Sequence, residues 1–211
     1  MIEYKSYSLA NQVFERIADN IIDGTYAIGE VISETRLSQE LGVSRTPIRE
    51  ALTKLERDGL VKESPSGTVV LGITDKDVED FFEVKRRIEI LATRWAAANI
   101  SDEDIERLRD VLEQQEFFAQ KGAIDKVRDL DTEFHDIIYE ASGSRVLFDI
   151  LSPLHRKIAK YRRKSLSKPN RVMDSVAEHR GIFEAIAAHN TDKVDSLMMI
   201  HIEHAYKGMM S

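Results

Sequence analysis

Asp131-x-x-x-His135 sets a carboxylate and an imidazole one helical turn apart, a spacing at which two side chains can grip one ion. The stripe Val127, Leu130, Phe134, Ile137 and Ala141 runs beside them, so both lie along the edge of a buried face. His179 continues the stripe Val172, Val176, Phe183 and Ile186, and His201 continues Val194, Leu197, Met198 and Ala205; both rings are expected to point inward. A carboxylate and three imidazoles from three helices form a nitrogen and oxygen shell suited to a divalent transition metal, with positions left open. Zinc is the default expectation; nickel, copper and iron also suit imidazole, and the carboxylate admits manganese. The competing reading makes each histidine a satisfied core residue and Asp131 a surface acid, which for any one of them alone is the better account. Spacing by itself does not bring the four together. His204, one turn from His201, is the rival ligand, whereas His155 and His189 read as structural or exposed.

A second chemistry lies near the N-terminus, where Leu37-Ser38-Gln39-Glu40-Leu41-Gly42-Val43-Ser44-Arg45-Thr46-Pro47-Ile48-Arg49-Glu50-Ala51-Leu52 spells two short helices joined by a glycine turn. Gly42 can take the left-handed conformation that ends a helix, and Ser44 can cap the next one. Ile48, Ala51, Leu52 and Leu55 recur at helical spacing and must face a core, which turns Arg45 and Arg49 outward. Arginine's planar fork can donate two bonds to guanine, and residues near the start of such a helix are those that reach base edges in the major groove. Against this, residues 1–72 hold 8 Lys plus Arg and 11 Asp plus Glu, an acidic balance unusual for a DNA reader. Placement offsets it, since Arg36, Arg45, Arg49 and Lys54 can share one face, and a dimer would add the contacts of two half-sites. A third, cationic pair is Lys85 and Arg162. Lys85 falls within the stripe Phe81, Ile88, Ala92, Trp95, and Arg162 shares a face with His155 and Ile158; either could contact an anionic effector or snorkel to water.

The elements needed to hold these residues follow from punctuation and period. The 211 residues are 42% hydrophobic and 32% charged, which agrees with two modest domains, 1–73 and 74–211, divided at Gly72-Ile73-Thr74-Asp75. Leu60–Glu63 and Thr68–Leu71, around Pro65-Ser66-Gly67, read as a hairpin wing after the second helix. Beyond Asp75 six helices are expected near 75–99, 101–121, 123–142, 144–165, 170–189 and 191–207, with Ser101 as a cap, Gly122 and Gly143 as stops and Pro169 in a turn. The fold class is mainly α. The net charge of −7 gives no hint of membrane attraction, no stretch approaches the roughly 20 apolar residues of a span, and Met1-Ile2-Glu3-Tyr4-Lys5 does not start like a signal peptide. With no cysteine, nothing depends on disulfides, and a cytoplasmic location is expected.

The string from Gly42 to Leu52 resembles the winged helix-turn-helix of the GntR family of bacterial transcription regulators, and the likeness runs from about Ser8 through the wing. It implies that Arg45, Thr46 and Arg49, with Ser44 and Arg36 beside them, contact double-stranded operator DNA. Thr35 stands where many members carry arginine, and the wing tip Ser64-Pro65-Ser66-Gly67 lacks a basic residue, so operator preference does not carry over. Residues 75–207 resemble the FCD ligand-binding domain of the FadR branch of that family. Its metal-binding members carry Asp-x-x-x-His on one helix and single histidines on two later ones, a pattern matched here by Asp131, His135, His179 and His201. The family often has arginine at the place of Lys85, which keeps the charge but cannot make the fork contact.

These readings imply a homodimeric regulator, a repressor by expectation and not an enzyme, whose operator affinity responds to a small organic acid bound beside the metal. The alternatives are a metal-dependent hydrolase, or a regulator whose metal is structural or is itself the signal. A hydrolase needs a base near the metal, and Glu133 sits on the wrong face of its helix for that role.

Overall fold

Ser8 accepts a hydrogen bond from the Asn11 amide and starts α1, Leu9–Ile22, whose buried face carries Phe14, Ile17 and Ile21. The computed structural model describes the backbone of residues 8–166 and 170–210 and the side chains of 8–158 and 170–210. Pro169 and the side chain of Arg162 lie outside the described residues. Two compact units divide the chain, Met1–Thr74 and Asp75–Ser211.

In the first unit α1 is followed by β1, Val31–Ile32, α2, Glu34–Leu41, α3, Arg45–Arg57, β2, Val61–Ser64, and β3, Gly67–Val70. Ser33 caps α2 by accepting from the Arg36 amide. Gly42, at φ 67°, ends α2 in the left-handed region and lets the chain turn directly into α3. The sheet is antiparallel in the order β1-β3-β2, with Val31 opposite Val69 and Ser64 opposite Gly67. Fully buried Ile17, Ile32, Leu37, Ile48 and Leu55 join the helices to the sheet and leave the outer face of α3 to its polar residues.

The second unit consists, among the described residues, of α4, Asp75–Asn99, α5, Asp102–Gln120, α6, Ile124–Ala141, α7, Arg145–Leu166, α8, Arg171–Ala187, and α9, Thr191–Met210. The fold is mainly α: a winged helix-turn-helix and a helical bundle. Ser101 accepts from the Asp104 amide to start α5, and Gly122 and Gly143 adopt positive φ after α5 and α6. Helix α4 packs on α9, α5 on α6 and α8, and α6 on α7. The core runs through Phe82, Leu108, Leu112, Phe134, Ile137, Tyr139, Ile182 and Ile202.

Helix α4 corrects one expectation. Its buried line is Val78, Phe82, Lys85, Glu89, Ala92, Thr93 and Ala96, so the stripe through Phe81, Ile88 and Trp95 lies off the core, with Trp95 41% exposed. Both sides of this helix carry apolar residues, and period alone does not choose between them. The side with Ala92, Ala96 and Ala97 admits close packing, and it carries Lys85 and Glu89 inside with it. None of the helices among the described residues is long and apolar enough to cross a membrane.

Candidate functional site

Three elements of the bundle bring His135 of α6, His179 of α8 and His201 of α9 to one place, each no more than 1% exposed. One ligand atom of each lies within 4.8 Å of one from each of the others. The ring centroids are 5.3 Å apart for His135 and His179, 5.3 Å for His135 and His201, and 4.8 Å for His179 and His201. Phe134 stacks on His179 at 4.5 Å and closes one side with an apolar face. Both ring nitrogens of His135 are buried without a hydrogen-bond partner among the described residues; Nδ1 lies 3.0 Å from Glu89 Oε1 but is not aligned for a hydrogen bond, and Nε2 has no such neighbour. A buried polar atom without a partner is costly, and an incoming ion would relieve it. The donor set therefore fits a divalent metal of the imidazole-binding kind, and its spacing is close enough for one ion to draw together.

Asp131, also buried, directs Oδ2 to His155 Nε2 at 3.0 Å, while Oδ1 lies 3.6 Å from His179 Nε2. The carboxylate thus stands beside the imidazole trio and is shared with a fourth ring. His155, read from the sequence as structural or exposed, is 1% exposed and belongs to this cluster; its ring centroid is 4.3 Å from that of His135. Glu89, His135 and His155 form a second group with ligand atoms equally near one another. His204 points elsewhere: it is exposed, and its Nδ1 meets Glu178 Oε1 at 2.8 Å. His189 is exposed, and its Nδ1 bonds the Ala97 carbonyl at 2.7 Å.

The surroundings set the protonation of the cluster. Burial, together with the nearby His155, lowers His135 to about 4, so its ring is neutral at pH 7. Burial and the Lys85 ammonium likewise lower His155. Burial opposes charge on Glu89, yet Lys85 and then His135 overcome it and hold the carboxyl well below its usual range. For Glu178, too, burial opposes ionisation, and the contacts from His201, Arg171 and His204 bring it down to about 2.

Lys85 is only 3% exposed, with Nζ 3.1 Å from Glu89 Oε2 and 3.2 Å from His155 Nδ1. Its charge is met inside the protein, and the rim position that snorkelling would need does not exist. Glu133 is exposed, away from Asp131 and His135. Beside Glu178 an open groove of about 660 Å³ is lined by Arg171, Asp174, His204 and Lys207.

On the first unit Ser44, Arg45, Thr46 and Arg49 stand exposed along one end and side of α3. Ser44 occupies the cap position, but its side chain makes no capping bond, contrary to the sequence expectation. The start of α3 thus keeps its electropositive end, which attracts phosphate. Arg45 donates to Thr35 Oγ1 at 2.7 Å, and Arg49 Nε to Glu34 Oε1 at 2.7 Å. Arg36 is pinned between Glu30 at 2.5 Å and Glu40 at 2.6 Å, over the ring of Tyr26. The excess acid of this unit therefore sits partly on its arginines.

Sequence reasoning missed His155, Glu89, Gln115 and Glu178. Gln115 is fully buried, with Nε2 donating to the Leu130 carbonyl at 2.9 Å and Oε1 2.7 Å from His179 Nδ1. His155 was visible as a member of the line Leu151, His155, Ile158 in α7. A lone glutamine or glutamate on a helix gives no such signal.

Comparison with known proteins places the same two units in context. The family model for bacterial regulatory proteins of the gntR family matches residues 9–70, and the FCD domain model matches residues 80–204. The HTH-type transcriptional regulator YdhC of Bacillus subtilis is 30% identical over 195 residues, 92% of this chain and 87% of its own. The HTH-type transcriptional repressor RspR of Escherichia coli is 26% identical over 193 residues, 91% of this chain and 85% of its own. Among solved structures, E. coli McbR/YncC matches with a TM-score of 0.70 at 18% identity, covering 96% of this chain and 95% of its own, a likeness of fold.

Proposed function

Because the chain belongs to the GntR family of bacterial regulators, with an FCD domain after its helix-turn-helix, we propose that it is a repressor controlled through a metal centre in the bundle. Membership makes the protein a DNA-binding transcriptional regulator, and RspR, a relative across most of the chain, is named a repressor. The observation that carries the metal reading is the convergence of three buried imidazoles from three helices.

In this reading His135, His179, His201 and Asp131 hold a divalent ion, zinc by default. An ion held by these four residues would supply a Lewis acid for the carboxylate of a small organic acid. The chain's own residues keep water off the site and its His135 ring neutral: Phe134 covers one face, and burial keeps His135 uncharged. Arg45, Thr46 and Arg49 read base edges, while Ser44 and the start of α3 take phosphate. Arg36, held by two glutamates, shapes the surface beside them. Because the reading unit is net acidic, a homodimer on two half-sites supplies the affinity that one head lacks.

The coupling is one of linkage. An acid that favours one state of the regulator must change operator affinity, and operator must change the acid's affinity by the same factor, typically about 1 to 3 kcal/mol. Electrophoresis of the protein with DNA from its own promoter, with chelator and with a panel of organic acids, tests this. The expected result is a shift that chelation and at least one acid both alter. A shift indifferent to chelator and to every acid overturns the proposed control and leaves only DNA binding.

A further inference from the structure

Each of the three imidazoles faces, at Nδ1, a side chain from a different helix. His135 Nδ1 lies 3.0 Å from Glu89 Oε1, His179 Nδ1 lies 2.7 Å from Gln115 Oε1, and His201 Nδ1 lies 2.7 Å from Glu178 Oε2. Two of the three partners are carboxylates, which in the ionised form only accept. The third is turned so that it must accept. Gln115 Nε2 donates to the Leu130 carbonyl at 2.9 Å, and flipping the amide would set oxygen against oxygen there. An acceptor opposite Nδ1 puts the imidazole proton on Nδ1 and leaves the lone pair on Nε2.

The fourth ligand is held by a longer chain. The Lys85 ammonium can only donate, and it lies 3.2 Å from His155 Nδ1. The proton of His155 is therefore on Nε2, which donates to Asp131 Oδ2 at 3.0 Å. That leaves Asp131 Oδ1, on the side of His179, as the oxygen turned toward the trio. Lys85 is in turn fixed by Glu89, which also faces His135 and receives the Tyr139 hydroxyl. The chain from Tyr139 through Glu89, Lys85 and His155 to Asp131 thus closes on α6, where it began, after crossing α4 and α7.

We propose that Glu89, Gln115, Glu178 and the Lys85–His155 pair are positioning residues that preset the metal centre. They fix three histidines in the Nδ1–H tautomer and turn one oxygen of Asp131 toward them. Lys85 then serves the ligand shell and not the organic acid. The inference rests on the metal reading above. What it adds is that the tautomers of the donor set are settled before any ion arrives, so binding need only close the spacing between the donors.

The test has two arms on the full chain. In the metal-free parent, long-range ¹H–¹⁵N spectra of the histidine rings should show Nδ1–H tautomers for His135, His179 and His201 and the Nε2–H tautomer for His155. Zinc affinity, read by competition with a chromophoric chelator, should fall about 10- to 100-fold in Gln115→Met, the usual cost of losing such a partner. His179 in that variant should lose its single tautomer, because no acceptor then faces its Nδ1. Should Gln115→Met not fold, Glu178→Ala at its half-buried position makes the same test on His201. A merely structural role would lower stability and leave tautomer and zinc affinity alone. Nε2–H tautomers in the parent, or folded variants with parental affinity, overturn this proposal and spare the metal reading. A parent that takes up no zinc, nickel or manganese overturns both.

Discussion

In the N-terminal unit Arg45 and Arg49 stand in water, and their partners Thr35 and Glu34 are exposed or half-exposed. In the C-terminal unit His135, His179 and His201 are buried, and side chains from neighbouring helices meet each ring. The difference teaches how each unit treats a ligand. Exposed pairs are weak, worth about 0 to 1 kcal/mol, so the arginines can leave their carboxylates for phosphate or a base at little cost. A buried network is rigid and expensive to break, so the imidazoles wait in one arrangement. The first site exchanges partners; the second is built for one.

Breaking the buried side should give the largest effect. Lys85→Ala leaves Glu89 charged and uncompensated in the core, and should destabilise the bundle by about 3 to 5 kcal/mol. Trp95, the single tryptophan, lies in α4 and reports denaturation of this unit. A loss below about 1 kcal/mol, the level of an exposed pair, would erase the contrast.

Acid probes the same contrast. His135 is lowered from 6.5 to about 4 in the folded, metal-free protein. Below pH 6.5 the unfolded chain takes up a proton that the folded one refuses, so stability is lost as pH falls from 6.5 to 4. The loss is on the order of 3 kcal/mol and levels off below pH 4 for this group. Denaturation midpoints across that range should decline, and His135→Gln should flatten the decline. An unchanged slope in the variant would show that the ring is not what titrates.

On the exposed side, Arg45→Ala and Arg49→Ala should each lose about 1 to 3 kcal/mol of specific operator binding with folding unaffected. Parental affinity in either variant would move the base contact elsewhere. The smallest effect belongs to Glu34→Ala, which frees Arg49 and removes a competing charge. Stability should change by less than about 1 kcal/mol, and DNA affinity should rise a few-fold at low salt. Weaker binding would mean that Glu34 orients Arg49 instead of restraining it.

Much of this was legible in the chain itself, for physical reasons. The stripes beside Asp131, His135, His179 and His201 each have one apolar side, so period alone set Asp131 and His135 along the edge of a buried face and turned His179 and His201 inward. The Gly42 turn and the outward arginines followed from local chemistry in the same way. Helix α4 was misread because apolar residues flank both sides of it, and because Glu89, one turn after Lys85, gave no sign of being its buried counterion. Only their packing within the bundle makes the pair internal. Gln115 and Glu178 were invisible for a related reason: their importance lies in which ring each meets, and those contacts span 64 and 23 positions of the chain.

The central claim is that the buried trio holds a metal, and elemental analysis after reloading with zinc, nickel or manganese tests it most directly. The parent should retain about one divalent ion per chain through gel filtration, and His179→Ala, lacking one donor of an otherwise intact shell, should retain none. A folded parent that emerges free of metal from all three, or a His179→Ala variant loaded like the parent, would contradict the account.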